Sequence, residues 1–162
     1  MTLAMIILAL VTLQRLAELW IAQRNTAWLL ERGAREAAPQ HYPLIVILHG
    51  AWLIGLWILA HDQEPVLPLL AVFLLLQAAR VWVLATLGRR WTTRIIVLPE
   101  APLVKNGPFR FVSHPNYCVV AAEILILPLT FGLVGFAIVF SILNALVLAV
   151  RIRAENEALA IS

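Results

Sequence analysis

The chain has 162 residues, of which 62% are hydrophobic and 13% are charged, and its mean hydropathy is +0.91. Such a composition cannot cover a folded core with polar surface, so it predicts an integral membrane protein. The single cysteine, Cys118, excludes an internal disulfide, and the net charge of +3 comes from basic residues scattered in short loops, which argues against a nucleic-acid-binding patch.

Five apolar segments predict five transmembrane helices, near residues 2–22, 43–60, 66–87, 115–131 and 133–150. The first has no basic leading region and no small-residue cleavage pattern, so we expect a retained helix and not a signal peptide. The fourth contains Pro128 and runs almost directly into the fifth through Gly132, which predicts a tight helical hairpin. The predicted fold is an all-α membrane protein that forms one domain over residues 1–162.

Basic residues follow the first, third and fifth spans, whereas the loop HDQEP after the second span has none. These residues are Arg24, Arg32, Arg35, Arg89, Arg90, Arg94, Lys105, Arg110, Arg151 and Arg153. The positive-inside rule then places the polar loop 88–114 and the C-terminal end in the cytoplasm, and the N-terminal end outside.

Several ionisable side chains fall within the spans, in the half of each helix nearer the basic loops. They are Arg15, Glu18, Arg80 and Glu123, accompanied by Asn144. Because an unpaired charge in hydrocarbon costs several kcal/mol, these groups are expected to turn inward and pair, or to line a wet cavity. Arg15 and Glu18, three residues apart, favour a simple pair on one helix face. For Glu123 a functional role is as well supported, since it lies about two to three turns beyond the polar run SHPNY.

The loop 88–114 is too polar and too rich in proline to cross a bilayer. Residues 91–97 alternate like a short strand, and LVKNGPFRFV is expected to return as a second strand that turns at Asn106 and Gly107. His114 and Pro115 begin the next helix, whose free backbone N–H groups favour an anion. Three roles stay open for His114: capping, hydrogen bonding to a ligand, and metal binding. Zinc is disfavoured because the other histidines lack ligand spacing.

The C-terminal run RIRAENEAL places Arg151 and Glu155 four residues apart, so they project together from a helix, while Glu157 is rotated away. An exposed pair of this kind is usually only a surface bridge. This pair, however, emerges where the hairpin returns to the SHPNY loop. We therefore predict that His114, Arg151 and Glu155 lie together.

The run KNGPFRFVSHPNY, the apolar hairpin and RIRAENEAL resemble the C-terminal signature of the isoprenylcysteine carboxyl methyltransferase family, which has a GPY/F turn, RHPxY, two helices and RxxxE. Upstream, RLAELWIAQRN and WLLERGAREAAPQHYPLIVILHGAWL resemble the N-terminal half of small bacterial members. The resemblance implies S-adenosylmethionine as cofactor, bound by a core over residues 103–159, in a bacterial inner-membrane protein whose site faces the cytoplasm. Small bacterial members occur beside enzymes that make long-chain polyketide pyrones, which implies O-methylation of a lipid-like carboxylate or acidic hydroxyl.

By this resemblance the cofactor loop comprises Lys105, Gly107, Pro108, Phe109, His114, Pro115, Asn116 and Tyr117. Three positions depart from the usual pattern, and they bear on the acceptor more than on the cofactor: Ser113, Val119 and Asn156.

Arg151 and Glu155 are the predicted catalytic residues. Arg151 would orient an anionic acceptor, and Glu155 would hold the ammonium group of the cofactor. Glu123 and Arg151 are predicted to face the acceptor. A carboxylate acceptor needs no base, whereas a hydroxyl acceptor would need His114, Glu123 or Glu155 as one.

Two other functions compete with methyl transfer. A nicotinamide-dependent reductase of the sterol reductase type would need cationic contacts to phosphates, which Arg94, Lys105 and Arg110 can supply. A noncatalytic membrane scaffold would use its loop charges only to set topology. In the preferred reading the partners are membrane lipids and the lipid-like acceptor, with no metal and no nucleic acid.

Overall fold

Five long helices dominate the computed structural model, which describes residues 2–99 and 101–160 of the single predicted domain. The helices are α1 (Leu3–Leu30), α2 (Tyr42–Ala60), α3 (Leu67–Leu87), α4 (Pro115–Thr130) and α5 (Val134–Ala160). Short 3₁₀ turns cover Pro39–His41, Gly88–Arg90 and Gly107–Arg110. The strands β1 (Arg35–Glu36) and β2 (Ile96–Val97) form one antiparallel pair.

The helices have the length and surface of membrane helices. α1, α2, α3 and α5 are each long and apolar enough to cross a bilayer, whereas α4 has 16 residues and rises only about 24 Å. Aliphatic side chains on the outside are widely exposed, for example Leu75 at 71% and Ile47 at 68%, while Glu123 and Arg80 are buried. This inverted arrangement confirms the predicted all-α membrane fold.

Two helices extend beyond their predicted spans. α1 continues past residue 22 to Leu30, and α5 continues past residue 150 to Ala160. Hydropathy detects only the part of a helix that suits lipid, whereas the backbone hydrogen bonds continue through a polar sequence until a breaker intervenes. For α1 the chain turns at Gly33, which adopts φ +85°.

The predicted hairpin of α4 and α5 is confirmed. Gly132 adopts φ +71°, a left-handed conformation that suits glycine, and closes the turn between the two helices. Within α4, Pro128 has no N–H to donate to the carbonyl of Ile124. The indole Nε1 of Trp52 on α2 donates to that carbonyl instead, at 3.3 Å, so the break in the ladder becomes a contact between helices.

The expected strand over residues 103–112 was wrong. Gly107–Arg110 forms a 3₁₀ turn, in which Phe111 N donates to Pro108 O. Gly107 adopts φ +57° and its α-carbon packs so closely on α3 that a Cβ would lie 2.5 Å from Thr86 Oγ1. The expected strand in 91–97 is partly confirmed, because Ile96–Val97 forms β2, but its partner is Arg35–Glu36 and not the following loop.

Candidate functional site

A cavity of about 1190 Å³ opens at the end of the bundle that carries the basic loops. Residues of all five helices line it, together with residues 91–98, which we call the strap, and with part of the loop that precedes α4. Its wall is mainly polar at the facing ends of α4 and α5, whereas α1 and α2 contribute apolar side chains together with Arg15, Glu18 and His49. The cavity therefore joins two chemically different regions.

The strap is fixed at both of its sides. Arg94 Nη1 donates to Glu36 Oε1 at 2.7 Å, and its guanidinium stacks 4.2 Å from the ring centroid of Tyr42. Arg151 Nη2 on α5 donates to the backbone oxygen of Thr93 at 2.8 Å. Since β1 and β2 also pair here, the strap connects the segment after α1 to the end of α5.

The first turn of α4 meets the last turns of α5 in what we call the polar cluster, formed by His114, Tyr117, Arg151, Glu155 and Asn156. The Tyr117 hydroxyl donates to Glu155 Oε2 at 2.7 Å, and His114 Nδ1 lies 3.7 Å from the same oxygen. His114 Nε2 bonds Asn156 Oδ1 at 3.2 Å, and no side-chain hydrogen bond caps α4. The expected approach of the SHPNY segment to the end of α5 is thus present.

Arg151 and Glu155 both line the cavity, but they are not paired with each other among the described side chains. Arg151 is 5% exposed and bonds the strap, whereas Glu155 bonds α4. Glu157 is exposed and lies outside the cavity lining, as its rotation on the helix predicts. The two predicted catalytic residues therefore form one wall, each held by a different element.

The remaining predicted cofactor residues divide into two groups. Four of them line the cavity: Lys105, Phe109, Pro115 and Asn116. Gly107 and Pro108 do not line it; they dock the loop on α3, where Pro108 is buried. Among the described residues, no group of three or more His, Cys, Asp or Glu side chains is arranged to hold a metal ion.

A buried ionic network borders the cavity. Arg80 binds Glu18 through two contacts of 2.6 Å, and Arg80 and Arg15 each donate to Glu123 Oε2 at 2.8 Å. Arg15 also pairs with Glu18 at 3.0 Å, so the expected local pair exists within a larger unit. Two arginines and two glutamates balance in charge, and they join α1, α3 and α4. The expectation that the intramembrane charges pair is confirmed.

Glu123 is set back from the cavity. It is 1% exposed, and its Oε1 accepts from Gln77 Nε2 at 2.8 Å while both arginines engage Oε2. Arg15 and Arg80 line the cavity in front of it. Direct contact of Glu123 with an acceptor stays a prediction, and in this geometry its charge reaches the cavity through the two arginines.

The apolar wall consists of side chains on α1 and α2. Leu16 and Leu19 contribute from α1, and Val46 and Leu53 from α2. Leu16 is 59% exposed and Val46 is 45% exposed, so both present a large apolar surface in the cavity wall. The apolar part of the cavity wall therefore lies on α1 and α2.

Sequence reasoning missed this wall and the strap. Leucine and valine in an apolar span carry no signal that separates a cavity wall from a lipid contact, because helix rotation decides it. The pairing of Arg35–Glu36 with Ile96–Val97 joins segments some sixty residues apart and involves only two residues from each. The one usable signal was Arg15, an intramembrane charge whose predicted alternative was to line a wet cavity.

Comparison with known proteins agrees with this architecture. The isoprenylcysteine carboxyl methyltransferase (ICMT) family matches residues 69–161, which is more than half of the chain. The chain is 40% identical over 159 residues to "Uncharacterized protein YpbQ" of Bacillus subtilis (strain 168), covering 95% of each chain. It is 29% identical over 151 residues to an "Uncharacterized protein" of Haemophilus influenzae, covering 90% of this chain and 88% of that one. No solved structure matches the chain significantly. The chain belongs to the isoprenylcysteine carboxyl methyltransferase family.

Proposed function

We propose that this membrane protein is an S-adenosylmethionine-dependent O-methyltransferase that acts on a lipid-like acceptor, either a carboxylate or an acidic hydroxyl. Its family is one of membrane methyltransferases, which supports the reaction class. The observation that carries the proposal is one cavity of about 1190 Å³ whose lining includes both the polar ends of α4 and α5 and apolar side chains of α1 and α2. A cavity of that size exceeds the roughly 300–1,000 Å³ typical for one small ligand, so two ligands can share it.

The polar cluster fits the cofactor in its chemistry. S-adenosylmethionine has an ammonium group at its amino-acid end, and the cluster offers the Glu155 carboxylate as a partner of opposite charge. His114, Asn116 and Tyr117 add polar contacts in the same wall. These residues, with Lys105, Phe109 and Pro115 beside them, would hold the cofactor, which supplies a methyl group on a positively charged sulfur.

The apolar wall fits the tail of the acceptor. Leu16 on α1 and Val46 on α2 line the cavity and are widely exposed, so an alkyl chain would pack along them and extend toward lipid. The reactive oxygen of such an acceptor would then lie toward the polar cluster. An acceptor that is amphipathic and enters sideways suits this shape better than a fully polar one.

The contribution of the protein to methyl transfer is alignment and exclusion of water. The strap covers the polar side, and its bond to Arg151 holds that guanidinium toward the cavity. Arg151 would orient a carboxylate acceptor, which needs no base. For a hydroxyl acceptor, His114 and Glu155 are the two of the three predicted bases that line the cavity.

The experiment compares substitutions on two faces of α5. Glu155→Gln keeps the size of the side chain and removes its charge, so binding of S-adenosylmethionine measured by calorimetry should weaken by about 1.5–3 kcal/mol, the value of a charged hydrogen bond. Arg151→Lys keeps the charge and loses the planar fork, so it should lower turnover more than cofactor affinity. Glu157→Gln is the matched control on the exposed face. If folded Glu155→Gln and Arg151→Lys proteins both match the control, the site assignment is wrong.

Titration with a reduced nicotinamide cofactor separates the reductase alternative. Arg94, Lys105 and Arg110 all line the cavity, but Arg94 is already bonded to Glu36 and stacked on Tyr42, which weakens the case for a phosphate contact. We expect heat of binding with S-adenosylmethionine and none with the nicotinamide cofactor. If the protein binds neither cofactor, the noncatalytic scaffold becomes the favoured function.

We also propose that the cavity faces the cytoplasm, from a bacterial inner membrane. The support is that the loops at this end of the bundle carry the arginines, whereas residues 61–65 at the opposite end contain no Lys or Arg.

A further inference from the structure

A second, smaller cavity of about 290 Å³ lies on the outside of the bundle, between the C-terminal part of α1 and the turn after α3. It is lined by Trp20, Ile21, Arg24, Asn25, Trp28 and Arg89. It shares none of these residues with the larger cavity, and none of them is acidic. The groove is therefore a separate, positively charged site.

Its two lining arginines are positioned by aromatic rings and not by carboxylates. The Arg24 guanidinium lies 4.7 Å from the ring centroid of Trp20, and that of Arg89 lies 5.4 Å from that of Trp28. Within the described part of the chain, neither arginine has an ion pair or a side-chain hydrogen bond. A guanidinium that lies over an aromatic ring uses none of its N–H donors in a conventional hydrogen bond, so they stay available. Both groups are thus oriented and still able to bind an anion.

A buried asparagine fixes the relative positions of the two sides of the groove. Asn25 is 9% exposed, and its Nδ2 donates to Trp91 O at 2.8 Å and to Gly88 O at 3.3 Å. These bonds fasten the 3₁₀ turn Gly88–Arg90 to α1, which sets the position of Arg89 relative to Arg24. A buried side chain therefore fixes the spacing of the two cationic groups.

The surroundings of the groove suit a lipid better than a soluble anion. Trp20 is 58% exposed, as tryptophan commonly is at the boundary between membrane and water. Along the same side of α1, toward the hydrocarbon, Leu13 is 63% exposed and Leu10 is 61% exposed, and neither lines the larger cavity. A ligand with an anionic head and apolar tails can contact the arginines and these leucines together, whereas a soluble anion uses only the arginines.

We propose that this groove binds the phosphodiester headgroup of an anionic glycerophospholipid, with Arg24 and Arg89 on the phosphate and the acyl chains along α1. The phosphate oxygens accept hydrogen bonds from both guanidinium groups. The site is independent of methyl transfer and binds a structural lipid of the surrounding membrane.

The test measures retained lipid by native mass spectrometry after reconstitution in mixed phosphatidylglycerol and phosphatidylcholine. The protein should retain phosphatidylglycerol in preference to phosphatidylcholine. Arg24→Gln/Arg89→Gln should lower this preference by about 25-fold, the product of roughly fivefold per arginine. Each single substitution should give about fivefold if the double variant does not fold.

The control is Arg35→Gln/Arg153→Gln, which removes two charges from exposed positions outside the groove. It should retain the wild-type preference. An equal loss in this control would mean nonspecific attraction to charge, and complete displacement of the lipid by millimolar inorganic phosphate would mean a site for free anions. Either result would overturn the proposal.

Discussion

Replacing Glu123 with Gln tests whether the buried ionic network depends on its charge balance. Oε2 of Glu123 accepts from Arg15 and Arg80 at 2.8 Å each, and Oε1 accepts from Gln77. A glutamine of the same shape can keep its oxygen toward the arginines and turn its amide NH₂ toward Gln77. Gln77 Oε1 has no hydrogen-bond partner among the described atoms, so it can accept after its amide turns. The substitution therefore removes a charge and retains most of the hydrogen bonds.

The expected cost follows from burial. The wild-type network has two arginines and two glutamates, so the variant leaves one positive charge uncompensated where the side chain of Arg80 is only 7% exposed. Leaving a buried charge without its partner costs about 3–5 kcal/mol. Because Arg15 is 17% exposed at the cavity wall, partial hydration favours the lower end of this range. Arg15→Gln in the same chain restores the balance, and the double variant should be more stable than Glu123→Gln alone.

Reversible unfolding in mixed detergent micelles measures the free energies of the wild type, both single variants and the double variant. The coupling between Arg15 and Glu123 should be about 1–3 kcal/mol. Glu31→Gln is the matched control, since Glu31 is 75% exposed in a loose pair with Arg32, and it should change stability little. If the two single effects add to within about 0.5 kcal/mol, the network is not held by charge balance and the reasoning fails.

Two further predictions concern the loop and its orientation. A cysteine that replaces Lys105, in a background without the native cysteine, should react with a membrane-impermeant reagent only from the cytoplasmic side. Labelling of intact cells from outside would contradict the proposed orientation. Gly107→Ala should destabilise the protein by about 1–3 kcal/mol more than Gly132→Ala in thermal unfolding. Both positions have positive φ, but only a Cβ at Gly107 would collide with α3. Equal effects would show that the close packing of this turn on α3 does not contribute to stability.

The positions of the spans were predictable because lipid selects for apolar length, and each predicted span overlaps a helix. The inward pairing of intramembrane charge was predictable for the same reason. The partners were not predictable, because Arg80 reaches Glu18 only through the packing of α3 on α1. The approach of His114 to Glu155 was predictable from the hairpin, since a turn at Gly132 returns α5 to the start of α4.

What the sequence could not indicate depends on rotation or on distant pairing. The second expected strand failed because alternation over residues 103–112 was weaker than the local constraints of Gly107 and Pro108. The strand in the strap pairs with Arg35–Glu36, and a two-residue strand is too short to produce a detectable periodicity in the sequence. The apolar cavity wall depends on which faces of α1 and α2 leave a gap between them.

The carbonyl of Ile124, which Pro128 leaves without its helical donor, accepts a hydrogen bond from Trp52. This bond makes the residue choices at positions 52 and 128 depend on each other, although they lie on different helices. With Pro128 present, an aromatic ring without an N–H at position 52 would leave the carbonyl of Ile124 buried without a hydrogen-bond donor. With Pro128 replaced, the helix would bond that carbonyl itself and the indole would lose its acceptor. Neither change is neutral alone, so we expect relatives to alter positions 52 and 128 jointly, and an aligned family should record the pair as covarying.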